Sequence, residues 1–305
     1  MNFNVVGVGE VLWDLLPAGQ QLGGAPANFG YHAHALGAHA HIITRVGNDD
    51  HGREIIRHFR EMQLPDAGVQ IDPITPTGTA NVEVSGDGLV RFTIQENVAW
   101  DNLAATEQAF KISRAADAIC FGSLAQRSET SRRTIQRLVA ATTPDALRVF
   151  DINLRQQFYS RAVIEESLQL ANVLKLNADE LPTLRDIFSL TGSIEDQIER
   201  LAHMFNLQVI ALTRGANGSL LYQKDDNSEE ARWSDGASHP VTVIDTVGAG
   251  DSFTAALVLG LLSKMCLSEI NRIANEVARY VCFQTGATPA LPVEFARNFL
   301  TTQAQ

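Results

Sequence analysis

The chain has 305 residues, of which 45% are hydrophobic, and its formal net charge at pH 7 is -11. A chain of this length can bury a large core and form two domains or one large α/β domain with an insertion. The acidic charge argues against a nucleic-acid partner, because proteins that bind a phosphate backbone carry basic patches. No run of about 18 apolar residues and no signal-peptide pattern is found, so the sequence predicts a cytoplasmic protein with no membrane partner.

Short apolar strands alternate with amphipathic helices along most of the chain. This alternation is typical of a mostly parallel sheet that is covered by helices on both faces. Because crossovers between parallel strands are right-handed, we expect an α/β fold with a doubly wound sheet and ligands at the carboxyl ends of its strands. The predicted strands are residues 4–9, 40–46, 118–122, 147–152, 173–176 and 209–213.

Residues 76–100 break this pattern, because their apolar residues alternate around a Gly-Asp-Gly turn as in a β-hairpin. Residues 10–17 are predicted to add another strand to this hairpin. We interpret the two segments as a small β lid over the site, inserted into an α/β nucleotide- and sugar-binding domain of residues 1–9, 18–75 and 101–305. The alternative is that both segments extend the main sheet.

Two common phosphate-binding loops are absent from the sequence. A Walker A loop needs GxxxxGK[ST], but the nearest spacing, Gly47 to Gly52, is followed by Arg53. A dinucleotide fingerprint needs GxGxxG, and Leu12 stands where its third glycine is required. The second mismatch disfavours the alternative that the chain is a nicotinamide-dependent oxidoreductase.

The stretch DTVGAGDSF, residues 245–253, places small residues and an acid directly before an apolar helical run. Glycines let the backbone approach a ligand, and the N–H groups at a helix N-terminus attract anions. We therefore predict that Gly248, Ala249 and Gly250 form an anion hole for a transferring phosphoryl group. Asp251 can then accept the proton of an attacking hydroxyl as catalytic base. The alternative is that Asp251 only caps the helix.

A second glycine-rich stretch, GGAPANFGYHAHALGA at 23–38, leads into a helical pattern and carries Asn28 near its start. An asparagine side chain offers both donors and acceptors, which suits the paired hydroxyls of a sugar. Asp14 precedes this stretch, and its carboxylate can bind two hydroxyl groups. The alternative is that Asn28 only satisfies the backbone of a glycine-rich loop.

Two long segments, GGAPANFGYHAHALGAHAHIITRVGNDDHG at 23–52 and DTVGAGDSFTAALVLG at 245–260, resemble the two signatures of ribokinase-like (PfkB-type) carbohydrate kinases. They lie toward opposite ends of the chain, so the resemblance covers essentially the whole sequence. It implies a three-layer α/β/α sandwich with a mostly parallel doubly wound sheet and a small β-sheet lid. It also implies ATP-dependent phosphorylation of a hydroxyl group.

The resemblance implies roles for residues on the acceptor side of the site. Asp251 matches the catalytic base of the family, and the tripeptide at 248–250 matches its anion hole. Asp14, Gly24 and Asn28 match positions that contact the sugar.

The resemblance also implies an ATP site with Mg²⁺. The NADE sequence at 177–180 resembles the NxxE motif of the family, which places Glu180 near the magnesium, through water, and Asn177 beside ATP. In TRGANGS, Thr213 and Gly215 match positions along the ATP. Asn275 matches a position that lines the adenine pocket.

Asp245 and the backbone near Val247 and Gly286 resemble a monovalent-cation site found in many members of the family. Some members complete that site with a serine where this chain has Ala290, so a requirement for K⁺ stays open. Lids of the family also pair two copies, which makes a homodimer through the β lid an expectation.

Three further segments look most like bacterial fructokinases: GEVLWD at 9–14, ENVAWD at 96–101 and DINLR at 151–155. In an extended DINLR, side chains alternate, so Asn153 and Arg155 are expected to face the substrate together with Asp151. The alternative is that Arg155 only forms an ion pair at the surface. The relative 2-keto-3-deoxygluconate kinase also has an arginine near this position, where it binds a carboxylate.

The sequence therefore predicts a fructokinase that transfers the γ-phosphate of ATP to the terminal hydroxyl of fructose. The alternatives are a 2-keto-3-deoxygluconate kinase, a ribokinase-type activity on another sugar, or a non-catalytic sugar or nucleotide sensor on the same fold.

Overall fold

The structure is a computed structural model that describes residues 3–16, 19–84, 90–225, 231–236 and 244–300. Its strands are β1 (Asn4–Val8), β2 (Leu12–Leu16), β3 (Gly19–Gly23), β4 (His39–Gly47), β5 (Val69–Asp72), β6 (Gly78–Val84), β7 (Val90–Ile94), β8 (Ala118–Phe121), β9 (Leu147–Asp151), β10 (Val173–Asn177), β11 (Val209–Thr213), β12 (Ser219–Gln223) and β13 (Arg232–Gly236). Its α-helices are α1 (Ala25–Ala35), α2 (Asp50–Glu61), α3 (Glu107–Arg114), α4 (Glu129–Ala140), α5 (Arg161–Leu170), α6 (Leu181–Phe188), α7 (Ile194–Phe205), α8 (Ala249–Leu262), α9 (Leu267–Cys282) and α10 (Val293–Leu300).

In the described part of the chain, the main sheet has nine strands in the order β13-β12-β11-β10-β9-β8-β1-β4-β5. The pairings from β11 through to β5 are parallel, and β12 and β13 pair antiparallel at one edge. The order runs outward from β1 in both directions, which is the doubly wound arrangement. The predicted mostly parallel sheet is confirmed.

Helices cover both faces of this sheet because successive strand residues point to opposite sides. Val6 of β1 packs in one hydrophobic core with residues of α3 to α7. Its neighbour Val5 packs in a second core with residues of α1, α2, α8 and α9. The two cores make the fold a three-layer α/β/α sandwich, as predicted. No helix in the described ranges is long and apolar enough to cross a lipid bilayer.

A second, smaller sheet has the strand order β3-β2-β6-β7. Strands β6 and β7 pair antiparallel, which confirms the predicted hairpin, although its Gly-Asp-Gly turn lies outside the described residues. Strand β2 pairs with β3 and β6, as the predicted extra strand requires. The sequence pattern places β3 in the larger domain instead, because GQQLG lacks alternating apolar residues.

One acidic side chain fastens the small sheet to the main one. Asp49 caps α2 by accepting the Gly52 N–H at 2.8 Å, and it also accepts the Thr77 N–H at 2.8 Å. The Thr77 hydroxyl in turn accepts the Gly47 N–H at the end of β4. The hairpin that begins at Gly78 is therefore held at the carboxyl end of the parallel strand β4, and ligands bind at this end of the strands in this fold class.

Besides β3, the strands β5, β12 and β13 were not predicted. Strand β5 is a four-residue edge strand, and β13, with the sequence RWSDG, has few apolar residues. Strand β12, with the sequence SLLYQ, is apolar but has only five residues. Each is too short or too polar for a clear period-two pattern.

Close packing of α1 on β1 gives a direct test of this architecture. A Cβ atom at Gly7 would lie 2.2 Å from the Pro26 carbonyl oxygen, which is backbone and cannot swing away. We expect Gly7→Ala to lower the free energy of unfolding by about 1–3 kcal/mol, measured by urea denaturation. Gly122→Ala is the control, because its Cβ would meet its nearest atom at 3.2 Å. An equal loss in both variants would contradict the tight contact.

Candidate active site

The carboxyl ends of the central parallel strands and the N-termini of α1 and α8 meet at one edge of the main sheet. Glu10 follows β1, Asp151 ends β9, Asn177 ends β10 and Thr213 ends β11. The small sheet adds Asp14 from β2. This convergence is the crevice in which doubly wound folds bind their ligands.

The predicted anion hole lies at the start of α8. Gly248 is its N-cap with φ 79°, in the left-handed region that favours glycine, and a Cβ there would lie 2.1 Å from the Ala287 carbonyl oxygen. The helix begins at Ala249 and is buried from Ser252 to Gly260. The first N–H groups of α8 are therefore held rigidly, in the place where a helix attracts anions.

Asp251 and Asn28, which are 223 positions apart in the chain, meet in the crevice. The Asn28 Nδ2 group donates a hydrogen bond of 2.8 Å to Asp251 Oδ2. Asp251 lies inside the first turn of α8, whose N-cap is Gly248, so the alternative that Asp251 is the N-cap is wrong. Asn28 is 3% exposed, and its Oδ1 has no hydrogen-bond partner among the described residues.

The environment of Asp251 suits a base that works near neutral pH. Burial raises the pKa of Asp251 to about 6, and the negative charge of Asp151 adds to this effect. The hydrogen bond from Asn28 and the charges of Lys175 and Arg155 act in the opposite direction. The carboxyl group thus keeps affinity for a proton and is still ionised at pH 7.

A buried ion pair that the sequence analysis did not predict lies beside the anion hole. Lys175 Nζ is 3.0 Å from Asp151 Oδ1, and both side chains are less than a tenth exposed. The Thr254 hydroxyl, one turn into α8, donates to Asp151 Oδ2 at 2.9 Å. A Cβ at Gly250 would lie 3.1 Å from Lys175 Nζ, so the ammonium group lies against the anion hole.

The charge of Lys175 is maintained by its neighbours. Burial alone would lower the pKa of Lys175, but the negative charges of Asp151, Glu180 and Asp251 raise it overall above its usual value. The ammonium group is therefore charged at neutral pH and contributes positive potential where negative charge would collect. The signal in the sequence was a lysine inside the apolar run VLKL.

Glu10 is a second residue that the sequence analysis did not single out. It is 1% exposed, and its Oε2 has no hydrogen-bond partner among the described residues. Burial raises the pKa of Glu10 to about 7, and the nearby charge of Asp251 contributes. The signal in the sequence was an acidic residue directly after the apolar run NVVGVG, which ends in glycine.

Asp14 and Gly24 lie beside this group. Burial raises the pKa of Asp14 to about 6, and the positive charge of Arg155 partly offsets this effect. Gly24 is the N-cap of α1 with φ 107°, and a Cβ there would lie 2.6 Å from the Glu10 carbonyl oxygen. Gly24 therefore lets α1 approach the end of β1 closely.

The predicted extended conformation of DINLR is wrong. Strand β9 ends at Asp151, and Asn153 has φ 42°, so the alternation of side chains stops there. Asp151 pairs with Lys175, with Asp151 Oδ1 3.0 Å from Lys175 Nζ. The side chain of Arg155 is exposed, and its charge lowers the pKa of Glu10, Asp14 and Asp251.

The NADE segment forms a compact turn at the end of β10. Asn177 Oδ1 accepts the N–H groups of Asp179 and Glu180, at 2.9 and 3.0 Å. The buried Glu180 accepts the Asn177 N–H through one carboxylate oxygen and the Leu154 N–H through the other, each at 2.8 Å. The turn fixes Glu180 beside the loop that carries Arg155.

The other predicted nucleotide-side residues extend along the sheet from this turn. Thr213 lies opposite Asn177 in the β10–β11 register, and Gly215 is exposed with φ 55°. Asn275 on α9 donates through Nδ2 to Ser219 Oγ at 2.7 Å, which ties α9 to β12. The side-chain amide of Asn275 is thus engaged with the protein in this structure.

Asp245 closes the loop before α8. Its Oδ1 accepts the Val247 N–H at 3.0 Å, and its Oδ2 accepts the Gly286 N–H at 3.1 Å. Both backbone segments of the predicted cation site are therefore joined by the predicted aspartate. Groups of three or more metal-ligating side chains do not occur among the residues that the structure describes.

Disruption of the Lys175–Asp151 pair gives a test of its importance. Lys175→Met leaves a buried aspartate without its cation, and we expect urea denaturation to show a loss of about 3–5 kcal/mol. The double variant Lys175→Met, Asp151→Asn should recover part of that loss, because no uncompensated charge remains.

The exposed pair Arg53–Asp50 is the matched control. Arg53→Met should cost about 0–1 kcal/mol, since surface ion pairs contribute little. A similarly small loss of stability in Lys175→Met would contradict the prediction, because it would show that Asp151 does not depend on the charge of Lys175.

Comparison with known proteins agrees with this geometry. The sequence pattern of the family described as pfkB family carbohydrate kinase matches residues 18–294. Fructokinase-1 of Oryza sativa subsp. japonica is 28% identical over 316 residues, covering 95% of each chain. A sugar kinase of Pyrococcus horikoshii is 28% identical over 303 residues, covering 93% of this chain and 91% of its own length.

Solved structures have the same fold. The crystal structure of the Pyrococcus horikoshii sugar kinase in complex with ATP has a TM-score of 0.81 and 27% identity, and it covers 97% of this chain and 99% of its own. The fructokinase of Vibrio cholerae O395, solved in its fructose, ADP and calcium ion bound form, has a TM-score of 0.78 at 24% identity, covering 98% and 99%. The resemblance deduced from the two sequence signatures is confirmed: this chain is a sugar kinase that belongs to the pfkB family of carbohydrate kinases.

Proposed function

We propose that the chain transfers the γ-phosphate of ATP to the terminal hydroxyl of fructose, with Asp251 as the catalytic base. The observation that carries the proposal is the Asn28–Asp251 hydrogen bond at the start of α8. It joins a group that suits sugar hydroxyls to a base beside an anion-binding helix N-terminus. The 28% identity to fructokinase-1 of Oryza sativa, over 95% of both chains, supports fructose as the acceptor.

In this proposal the acceptor hydroxyl lies between Asn28 and Asp251. Asp251 takes the hydroxyl proton as the oxygen attacks the γ-phosphorus in line with the bond to the leaving ADP. Asn28 holds the Asp251 carboxylate in one orientation through its Nδ2 group, and its unpartnered Oδ1 can accept a hydroxyl proton of the sugar. Asp14 and the backbone at Gly24 complete the acceptor side.

The charges around the acceptor favour an uncharged sugar. Three carboxyl groups, of Glu10, Asp14 and Asp251, share the positive charge of Arg155 within electrostatic reach. An acceptor with its own carboxylate would add a further negative charge to this set. Such an addition is costly in a partly buried site.

Two other cations near these strand ends are already engaged. Lys175 pairs with Asp151 at 3.0 Å, and Arg127 binds both carboxylate oxygens of Asp101 at 2.8 Å. They are therefore less available to a sugar acid, which needs a free guanidinium or ammonium partner. This pairing supports fructose over 2-keto-3-deoxygluconate.

In this proposal Asn153 and Arg155 also lie on the substrate side of the site.

The phosphoryl group would lie on the first N–H groups of α8, from Gly248 to Gly250. These groups, together with the charge of Lys175, would stabilise the transferring phosphoryl group, so catalysis rests on positioning and electrostatics. The triphosphate and adenosine of ATP would extend past Asn177 and Thr213 toward Gly215 and Asn275, along the ends of β10 to β12.

Glu180 fits an indirect role toward magnesium. Each carboxylate oxygen of Glu180 already accepts one backbone N–H. The remaining lone pairs can bind water molecules, which suits contact with magnesium through water rather than direct coordination. Magnesium held by the triphosphate and by water would neutralise charge on the phosphate oxygens. Glu180 would orient those waters.

Three further expectations stay predictions. Asp245 is positioned between Val247 and Gly286 as a monovalent-cation site would require, but Ala290 offers no side-chain oxygen. The homodimer through the β lid would involve side chains between 82 and 92, which lie outside the described part of the structure. The expected compartment is the cytoplasm.

An acceptor panel tests the proposed function. ADP release with Mg-ATP should be strongest with fructose, compared with ribose, 2-keto-3-deoxygluconate, glucose, tagatose and nucleosides. Asp251→Asn should lower kcat by about 10²–10⁴-fold, the usual contribution of general base catalysis, while ATP binding by calorimetry is retained.

Asp50→Asn is the matched control for Asp251→Asn, because the Asp50 side chain is 98% exposed on α2, where it pairs with Arg53. Near-normal turnover of Asp251→Asn would exclude Asp251 as the base. Turnover with a different acceptor would exclude fructose, and ATP binding without ADP release from any acceptor would favour the sensor.

The pKa of Asp251 predicts the acid side of the pH profile. Because the base must be ionised, kcat/KM for fructose should fall as the pH drops below about 6. Asn28→Ala removes the hydrogen bond that favours the carboxylate, so this fall should begin at a higher pH. Identical acid sides in the two proteins would mean that Asn28 does not tune the base.

A further inference from the structure

Glu10 has no part in the mechanism proposed above, although it lies within the acceptor side. Its side chain is 1% exposed at the exit of β1, and Oε2 has no hydrogen-bond partner among the described residues. A buried carboxylate with an unsatisfied oxygen is costly, whereas a protonated carboxyl group avoids most of that cost. The placement of Glu10 therefore favours its neutral form.

The groups that face Glu10 come from four elements. Asp251 of α8 raises the pKa of Glu10 by its negative charge, and Arg155, in the loop after β9, lowers it. Hydrogen bonding from the backbone N–H of Glu10 itself, and to a smaller extent from the Ala25 N–H at the start of α1, also lowers it. Cys120 of β8 is buried, with its pKa raised well above its usual value, so its thiol is neutral. Asp251 is thus the negative group among these neighbours that raises the pKa of Glu10, and Asp14 of β2 is the other carboxyl group on the acceptor side.

The N–H groups at the start of α1 need a hydrogen-bond acceptor near Glu10. Its N-cap, Gly24, has no side chain, and the first turn of the helix contains no acidic residue. The carbonyl oxygen of a neutral carboxyl group accepts an N–H as a carboxylate does, without a second full charge beside Asp251. A carboxylate at Glu10 would instead raise the negative potential where the phosphoryl group must enter.

We propose that Glu10 is a positioning residue whose carboxyl group is protonated when the enzyme works, holding the start of α1 beside Asp251 without a second negative charge. The catalytic part of this inference rests on the proposed function. Loss of the Glu10 proton should then lower turnover, because the phosphoryl group would meet an added negative charge. The wild-type profile should therefore have an alkaline side set by Glu10.

The pH dependence of kcat/KM tests this. In the wild type, kcat/KM should decline as the pH rises through about 7, the raised pKa of Glu10. Glu10→Gln is neutral at every pH and has the same shape, so its kcat/KM should stay level. The ratio of the variant to the wild type should rise about 5- to 10-fold between pH 6 and pH 8.

A stability measurement keeps the test independent of the acceptor. Because the folded-state pKa of Glu10 lies above its usual 4.5, protonation stabilises the folded state fully below 4.5 and less as the pH rises through about 7. Urea denaturation should therefore show the wild type losing stability relative to Glu10→Gln between pH 5 and pH 8. No such trend would mean that Glu10 is ionised, and would overturn the proposal.

Asp72→Asn is the matched control, because Asp72 is a buried acid in β5 that pairs with Arg45 at 3.1 Å. The pKa of Asp72 is lowered below its usual value, although burial alone would raise it. Asp72→Asn should therefore cost stability above that usual value, a cost that shrinks as the pH falls, and it should leave the shape of the pH–rate profile unchanged.

The outcomes separate the two proposals. If no acceptor gives turnover, the proposed function fails, and the stability trend alone decides whether Glu10 is neutral. If kcat/KM of Glu10→Gln declines at high pH in the same way as that of the wild type, the positioning role is wrong. If Glu10→Gln does not fold, a wild-type profile without a decline near pH 7 would likewise exclude the positioning role.

Discussion

The hydrogen bond from Asn28 to Asp251 is the contact on which the site depends. It links α1 to α8, two helices whose first turns are far apart in the chain and adjacent in space. One helix presents an amide that suits sugar hydroxyls, and the other presents a carboxylate beside its own N–H groups. Any shift of one helix along the sheet would separate Asp251, the proposed base, from the amide that orients it, and orientation accounts for much of the catalysis of phosphoryl transfer.

Electrostatic balance explains the residues that surround this bond. Lys175 is buried with Asp151 as its partner, and the resulting pair adds little net charge while its ammonium end lies against Gly250. Glu10 is buried, its Oε2 has no hydrogen-bond partner among the described residues, and burial raises its pKa to about 7, which favours the neutral form that we propose. In the proposed function, Lys175 would supply positive potential beside the phosphoryl group. A neutral Glu10 would reduce the negative charge beside Asp251.

The sequence predicted the parts that depend on local pattern. The six central strands, the hairpin and the glycine-rich start of α8 follow from periodicity and spacing. It did not predict β3, whose polar residues are held by pairing with β2, or the pairing of Lys175 with Asp151 across neighbouring strands. These features exist only after distant segments meet. The wrong prediction of an extended conformation at Asn153 has a similar cause. A residue with a positive φ after a strand does not change the alternation of side-chain types in the sequence.

The same helix that carries Asn28 also supports the anion hole. His32 Nε2 donates to the Ala287 carbonyl at 2.9 Å, and the Tyr31 hydroxyl donates to the Pro289 carbonyl at 3.1 Å. Burial lowers the pKa of His32 to about 4, so its ring is neutral and the bond persists at neutral pH. Ala287 is the residue against which Gly248 packs. Helix α1 therefore contacts both the proposed acceptor position, through Asn28, and the backbone that would receive the phosphoryl group, through this loop. In the proposed function, one rigid element would position both reacting partners.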